Sequence, residues 1–202
     1  LRQADSVYPM ADITDIYFDF RLFIREKDSR MMAEAVGKCK AAQKNPVLAL
    51  PHILRGKDSQ KGRQLMENWL AAGADTFLVR SLEQLGLLKE LSRSAVIRVI
   101  TDANLYTWNT RAEQFLLKTT GTQKNLRIIR TTMPLELTAQ ELAQTKNAVL
   151  PRELIVYTHL PLMVSEQCVK KTLGKCDGAN GRMTMTGYRQ QYQVQSVCDL
   201  CR

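Results

Sequence analysis

The feature that most constrains the fold is a recurrence. Strand-like runs begin at Ile13, Val47, Asp75, Ala95, Leu126 and Glu153, at steps of 34, 28, 20, 31 and 27 residues. They extend to Phe20, Leu50, Val79, Ile100, Ile129 and Tyr157. Helix-like segments fill the intervals: Ser29 to Gln43, a segment opened by Asp58 or Ser59 and ended by Gly73, Leu82 to Leu91, Asn109 or Thr110 to Gly121, and Ala139 to Lys146. Thr138 followed three residues later by Glu141 has the spacing of a capping box. A strand–helix unit about every 28 residues, with apolar strands, indicates parallel βα repeats, because a parallel sheet is covered on both faces. The repeats allow a closed (β/α)8 barrel or an open doubly wound sheet. No GxGxxG or GxxxxGK[ST] follows the first strand, which favours an α/β barrel of TIM type. Six units are two short of eight, so the expectation is an incomplete, C-terminal portion of a barrel with its missing strands upstream of Leu1. Residues 1–160 would form the barrel repeats. Residues 161–202 would form a cysteine-rich loop and β segment packed on the barrel mouth.

Four of the five cysteines lie in that last segment, as Cys168-x7-Cys176-x21-Cys198-x2-Cys201. Two separated pairs closing on one point are how a chain wraps a metal ion or an iron–sulfur centre. Zinc ribbons use two tight pairs, and the loose first pair here suits a cluster somewhat better. Plain thiols or disulfides within each pair are the competing reading, disfavoured by a chain too large to need staples. Cys39 falls on the Ser29–Gln43 helix and reads as a small core residue.

Lys plus Arg number 29 against 20 Asp plus Glu, a net charge of +9. The excess suits an anionic partner such as RNA or a carboxylated metabolite, although scattered basic residues are also what a solvated surface carries. No apolar run approaches the ~18 residues of a membrane span. The chain opens on Leu1 with no leader-like segment, so it is expected to be part of a longer, cytoplasmic protein whose thiols stay reduced.

In parallel βα folds the working residues sit at the C-terminal strand ends, where the βα loops meet. There the sequence offers Arg55 after the second strand, Arg80 after the third, and Asp102, Asn104 and Asn109 after the fourth. Glu136 follows the fifth strand and His159 the sixth. Arginine forks suit carboxylate or phosphate groups, so Arg55 and Arg80 are the anion-binding candidates. Asn104, Asn109 and His159 would complete the substrate-binding set. Asp102 and Glu136 are the candidates for proton transfer, or they neutralise the arginines. His159 precedes Leu-Pro-Leu-Met and equally reads as structural. HExxH and GxSxG are absent, and His52 and His159 are the only histidines.

The runs VRSLEQLGLLKEL, TDANLYTWN, TMPLELT and ELIVYTHLPLMVSEQC, followed by the terminal CDLC, resemble the collagenase-like U-32 peptidase family. The resemblance covers about Leu50 to Cys201, and LPLMVSEQC is its most specific part. The chain departs from the family in carrying MTMTGYRQQYQ where an Asp-Arg-Lys-Gly-like turn is usual, and Thr158-His159 where Gly-Arg is usual. The resemblance implies either the nominal activity, a collagenase-like peptidase and hence a hydrolase, or that of relatives that act as oxygen-independent hydroxylases. Those relatives modify a transfer-RNA or ribosomal-RNA base or act in quinone biosynthesis, several with a 4Fe–4S cluster and some with a small carboxylated hydroxyl donor. It implies Cys168, Cys176, Cys198 and Cys201 as cluster ligands. Peptide hydrolysis needs an activated nucleophile or a metal-bound water. The sequence shows no evident source of either, so an iron–sulfur enzyme is the first expectation. A non-enzymatic module, with zinc in place of the cluster and RNA bound on the basic surface, is the third.

Overall fold

The structure, a computed structural model, describes residues 2–24, 29–56, 58–121, 123–144 and 148–200. The chain divides into two compact units, Leu1–His159 and Leu160–Arg202.

The first unit holds six strands: β1 (Asp15–Asp19), β2 (Asn45–Ala49), β3 (Thr76–Val79), β4 (Ile97–Thr101), β5 (Leu126–Thr132) and β6 (Arg152–Glu153). They pair in chain order, every pair parallel, in one curled half-barrel sheet. Among the described residues of the unit are six α-helices: α1 (Arg2–Val7), α2 (Ser29–Ala41), α3 (Asp58–Ala71), α4 (Leu82–Leu91), α5 (Thr110–Thr120) and α6 (Ala139–Gln144). Period-two alternation divides the strand residues between two faces. Phe18 of β1 meets Trp69 of α3 and Phe23, with ring centroids 6.1 and 6.0 Å away. Trp69 is fully buried and donates its indole N–H to the Thr76 carbonyl at 3.1 Å, so its polar edge is satisfied.

The opposite face is layered. Val47, Ala49, Leu78 and Ile100 form an apolar belt joined by Ile129. Toward the strand N-termini, Asn45 donates to Asp15 at 2.7 Å, while Arg98 donates to Asn45 at 2.9 Å and to Asp75 at 2.6 Å. Two residues beyond the belt, toward the strand C-termini, stand Arg80 and Asp102. The register skips Ile129 between Val99 and Ile100, a bulge that re-aims the upper half of β5.

Side chains of the first strand reach those of the last two. Tyr17 donates its hydroxyl to Glu153 Oε2 at 2.8 Å, and Thr132 donates to Oε1 at 2.5 Å. Arg130 bonds Asp15 at 2.8 Å and lies 3.3 Å from Glu153. β1 and β6 are not neighbours in the ladder, so this clasp marks how far the sheet curls. Burial and the Glu153 carboxylate push the Tyr17 phenol well above its usual range. Behind β6, Glu113 of α5 is fully buried; Arg152 donates to it at 2.8 and 3.0 Å and the Val149 amide at 3.0 Å.

The expected helices and strands recur with shifted ends, and α4 matches its expected bounds. Thr138 and Glu141 form the reciprocal cap, with the Thr138 amide 2.8 Å from Oε2 and the Glu141 amide 3.3 Å from Oγ1. One element is corrected. The sixth strand was expected over Glu153–Tyr157, but only Arg152–Glu153 pair with β5. Leu154 to Tyr157 have strand-like composition, yet a strand exists only where a neighbour supplies the ladder. Beyond Glu153 none does among the described residues, and Val156 and Tyr157 are 92% and 90% exposed.

The second unit contains a short helix α7 (Val169–Thr172), an antiparallel hairpin of β7 (Arg182–Gly187) and β8 (Gln190–Gln195), and a final helical turn, Cys198–Leu200.

Candidate functional site

At the C-terminal ends of β1 to β4 the first unit gathers Asp19, Arg21, His52, Arg80, Asp102 and Asn104. Arg80 donates Nε to Asp102 Oδ2 at 2.9 Å and Nη1 to the Leu50 carbonyl at 2.7 Å. Both side chains of the pair are only 14% exposed. Arg21 grips Asp19 with two bonds of 2.7 and 2.8 Å. Burial alone would raise the Asp19 carboxyl; the Arg21 bonds outweigh it and, with Arg80, hold it below the usual carboxylate range.

Asp102 also accepts the Asn104 amide at 3.2 Å, capping the turn Ala103–Leu105. The Asn104 side-chain amide lies 3.0 Å from His52 Nδ1. An amide nitrogen only donates, so Nδ1 is the acceptor and the proton of the neutral ring sits on Nε2. Burial, and then the Arg80 guanidinium, push the imidazole below its ordinary value, so the ring is neutral at pH 7. The group is charge-balanced: two guanidiniums, two carboxylates and a neutral imidazole offering an N–H.

Its support is a fully buried amide. Gln84 accepts the Arg80 backbone N–H at 2.8 Å and donates to the Pro51 carbonyl at 2.5 Å. It therefore ties the end of β2, which carries His52, to the end of β3, which carries Arg80.

Of the residues expected from the sequence, Arg80, Asp102 and Asn104 meet here. Asn109 caps α5, accepting the Ala112 amide at 3.0 Å. Arg55 and Glu136 are exposed on the loops after β2 and β5, and His159 is exposed at the end of its unit. Sequence reasoning passed over Asp19, Arg21, His52 and Gln84. The end of the first strand carries the Asp19-Phe20-Arg21 signal, and His52 stands three residues before Arg55 at the end of the second. A recess of about 440 Å³ opens instead at the strand N-termini among Lys40, Lys44, Asn45, Asp75 and Arg98.

In the second unit Cys168 is buried, Cys198 half-buried and Cys176 exposed; all three are free thiols. Cys201 lies outside the described residues. No three His, Cys, Asp or Glu side chains converge on a point among the described residues. Two of the thiols share a neighbour. The Lys170 ammonium is held above its usual range by Asp177 foremost, and also by Cys198 and Cys168. One cysteine from each pair, Cys168 and Cys198, thus lies within electrostatic reach of one cation.

Together the repeats and the polar strand ends define a parallel βα-repeat protein of the half-barrel kind, with a separate cysteine-bearing unit. The family model of peptidase family U32 matches residues 2–199, and the chain belongs to that family. No curated protein and no solved structure matches it. Among the described residues, no helix is long and apolar enough to cross a membrane.

Proposed function

We propose that this U32-family chain is an iron–sulfur enzyme that modifies, by hydroxylation, an RNA base or a small metabolite. The observation carrying this reading is the wrapped loop after Cys168: Lys170 bonds Asp177, the neighbour of Cys176, and the Ala179 carbonyl, while Asn180 accepts the Cys198 amide, so three of the four cysteines lie on one hydrogen-bonded segment. Cys168, Cys176, Cys198 and Cys201 would hold a 4Fe–4S cluster, which supplies one-electron chemistry when bound. The polar group at the strand ends would take the substrate. His52 offers a neutral N–H, Arg80 keeps Nη2 for an incoming oxygen, and the Asp102–Asn104 turn fixes both. Neutral donors of this kind read base edges or carbonyls, while the +9 chain charge draws an anionic backbone or a small carboxylated donor. A peptidase is less well supported, because the hydrogen bond His52 makes is to an amide rather than to a hydroxyl or thiol that it could activate.

The test is an anaerobic absorption spectrum with iron, sulfide and zinc measured on the same sample, for the wild type, Cys168→Ala and Cys201→Ala. Several irons per chain with a broad shoulder near ~400 nm, lost in both variants, is the expected result. One zinc and a flat spectrum would transfer the site to a structural role. No metal at all would remove it.

A further inference from the structure

We propose that Lys170 is the positioning residue that assembles the cysteine set. The inference rests on the four-cysteine reading above and extends it to a residue that is not a ligand. Lys170 follows Cys168 by two residues, on α7, and its side chain is only 10% exposed. Its ammonium donates to both oxygens of Asp177, at 2.8 and 3.0 Å, and to the Ala179 carbonyl at 3.0 Å. Asp177 is the residue immediately after Cys176. The same ammonium packs against Gly181, where an added Cβ would lie 3.1 Å from Nζ. Gly181 is tied to Ser196 by three bonds, of 3.1, 3.2 and 3.3 Å. Between Ala179 and Gly181, Asn180 accepts the Cys198 backbone N–H at 2.5 Å.

One buried ammonium therefore connects the backbone at the three described cysteines of this unit: Cys168 along α7, Cys176 through Asp177, and Cys198 through the wrapped segment 177–181. This gives the loose C-x7-C spacing a physical account. A tight pair is set by its own short turn, whereas seven intervening residues need an internal pin, and a lysine donating three bonds into the loop is such a pin. Its positive charge also offsets the thiolates that must gather before a metal arrives. Groups that orient ligands in this way typically change metal affinity about 10- to 100-fold when removed.

The experiment uses the full chain as wild type, Lys170→Met, Lys170→Arg and Asp177→Asn. In metal-free, reduced protein, iodoacetamide labelling at Cys168 is followed by mass spectrometry as a function of pH, and rates are compared on the high-pH plateau, where the thiol is ionised in every variant and the rate reads access alone. On the same proteins, zinc affinity is measured against a chromophoric chelator and iron uptake by anaerobic reconstitution. Both tryptophans, Trp69 and Trp108, lie in the first unit, so unchanged tryptophan fluorescence shows that the rest of each variant is folded. Lys170→Met should label Cys168 faster on that plateau, because the loop no longer covers it, and bind zinc about 10- to 100-fold more weakly. Asp177→Asn should follow it, and Lys170→Arg, whose fork still reaches a carboxylate, should recover most of both. Wild-type labelling and affinity in Lys170→Met would overturn the assignment. Faster labelling in Lys170→Met with no metal bound even by the wild type would overturn the four-cysteine reading, and this inference with it. A cluster-competent wild type with an equally competent Lys170→Met would overturn this inference alone.

Discussion

Glu113→Gln should be the most destabilising conservative change in the first unit. The Glu113 side chain is fully buried and Arg152 is 14% exposed beside it, so solvent does little to screen the pair. The carboxylate accepts two bonds from Arg152 and one from the Val149 amide. The amide isostere keeps the volume and removes the charge, so the largely buried guanidinium loses the carboxylate that accepts both of its bonds here. Breaking such a pair by removing one partner costs about 3–5 kcal/mol. Each kcal/mol moves the midpoint of a domain of this size by about 2–4 °C, so the melting temperature should fall by roughly 6–20 °C. Replacing both partners, as Glu113→Leu with Arg152→Leu, should recover most of the loss, because the penalty belongs to a buried charge deprived of its carboxylate rather than to the missing attraction. The assay is urea unfolding followed by tryptophan fluorescence, which reports this unit because it holds both tryptophans. A single-variant cost below about 1 kcal/mol, or a double variant no better than the single, would refute the reasoning.

Gln84→Leu removes the amide that joins the ends of β2 and β3 and strands the Arg80 N–H and the Pro51 carbonyl. It should cost about 2–4 kcal/mol, at up to ~2 kcal/mol for each buried group left unpaired, measured by the same urea midpoints. An unchanged midpoint would mean that water satisfies both groups. The acid limb of stability should follow Asp15 and Asp19. Both are held below their unfolded values, Asp15 by Arg130 and Asn45 against the opposing effect of burial. Their contribution is therefore full above an unfolded pKa of about 3.9 and lost as pH falls through the lower folded values. Asp15→Asn should lower the urea midpoint at pH 7 and flatten its decline between about pH 4 and pH 2. A decline as steep as wild type would show that other carboxylates set it.

Much of the fold is legible in the sequence because parallel repeats write themselves twice, as apolar strands and as capped amphipathic helices. The Thr138–Glu141 box, the α4 bounds and the parallel order all follow from local signals. The β6 end does not, because Leu154-Ile155-Val156-Tyr157 has the composition of a strand whether or not a neighbour pairs with it. The site is half legible for a related reason. Arg80, Asp102 and Asn104 follow strands whose ends the apolar pattern marks. Asp19 and Arg21 sit where an expected strand was drawn one residue too long. Gln84 lies in a helix, and its importance comes from two backbone atoms that no local pattern connects to it. Asn109 was expected among the substrate groups, and its helix cap follows equally from the Asn-Thr helix-start signal.

The clasp across the sheet has a consequence for the order in which the unit assembles. Every strand pairing joins neighbours in the chain and closes a stretch of a few tens of residues, so the ladder can grow from any repeat. The bond between Tyr17 and Glu153 spans 136 residues and has its partner in place only once all the repeats are laid down. Loop closure of that length comes late, after the local contacts have formed. Tyr17→Phe should accordingly leave the refolding rate near wild type and put its loss almost wholly into faster unfolding, as stopped-flow traces at low and high urea would show. Read kinetically, the clasp is a latch: it adds little to how the half-barrel forms and governs how long it stays formed.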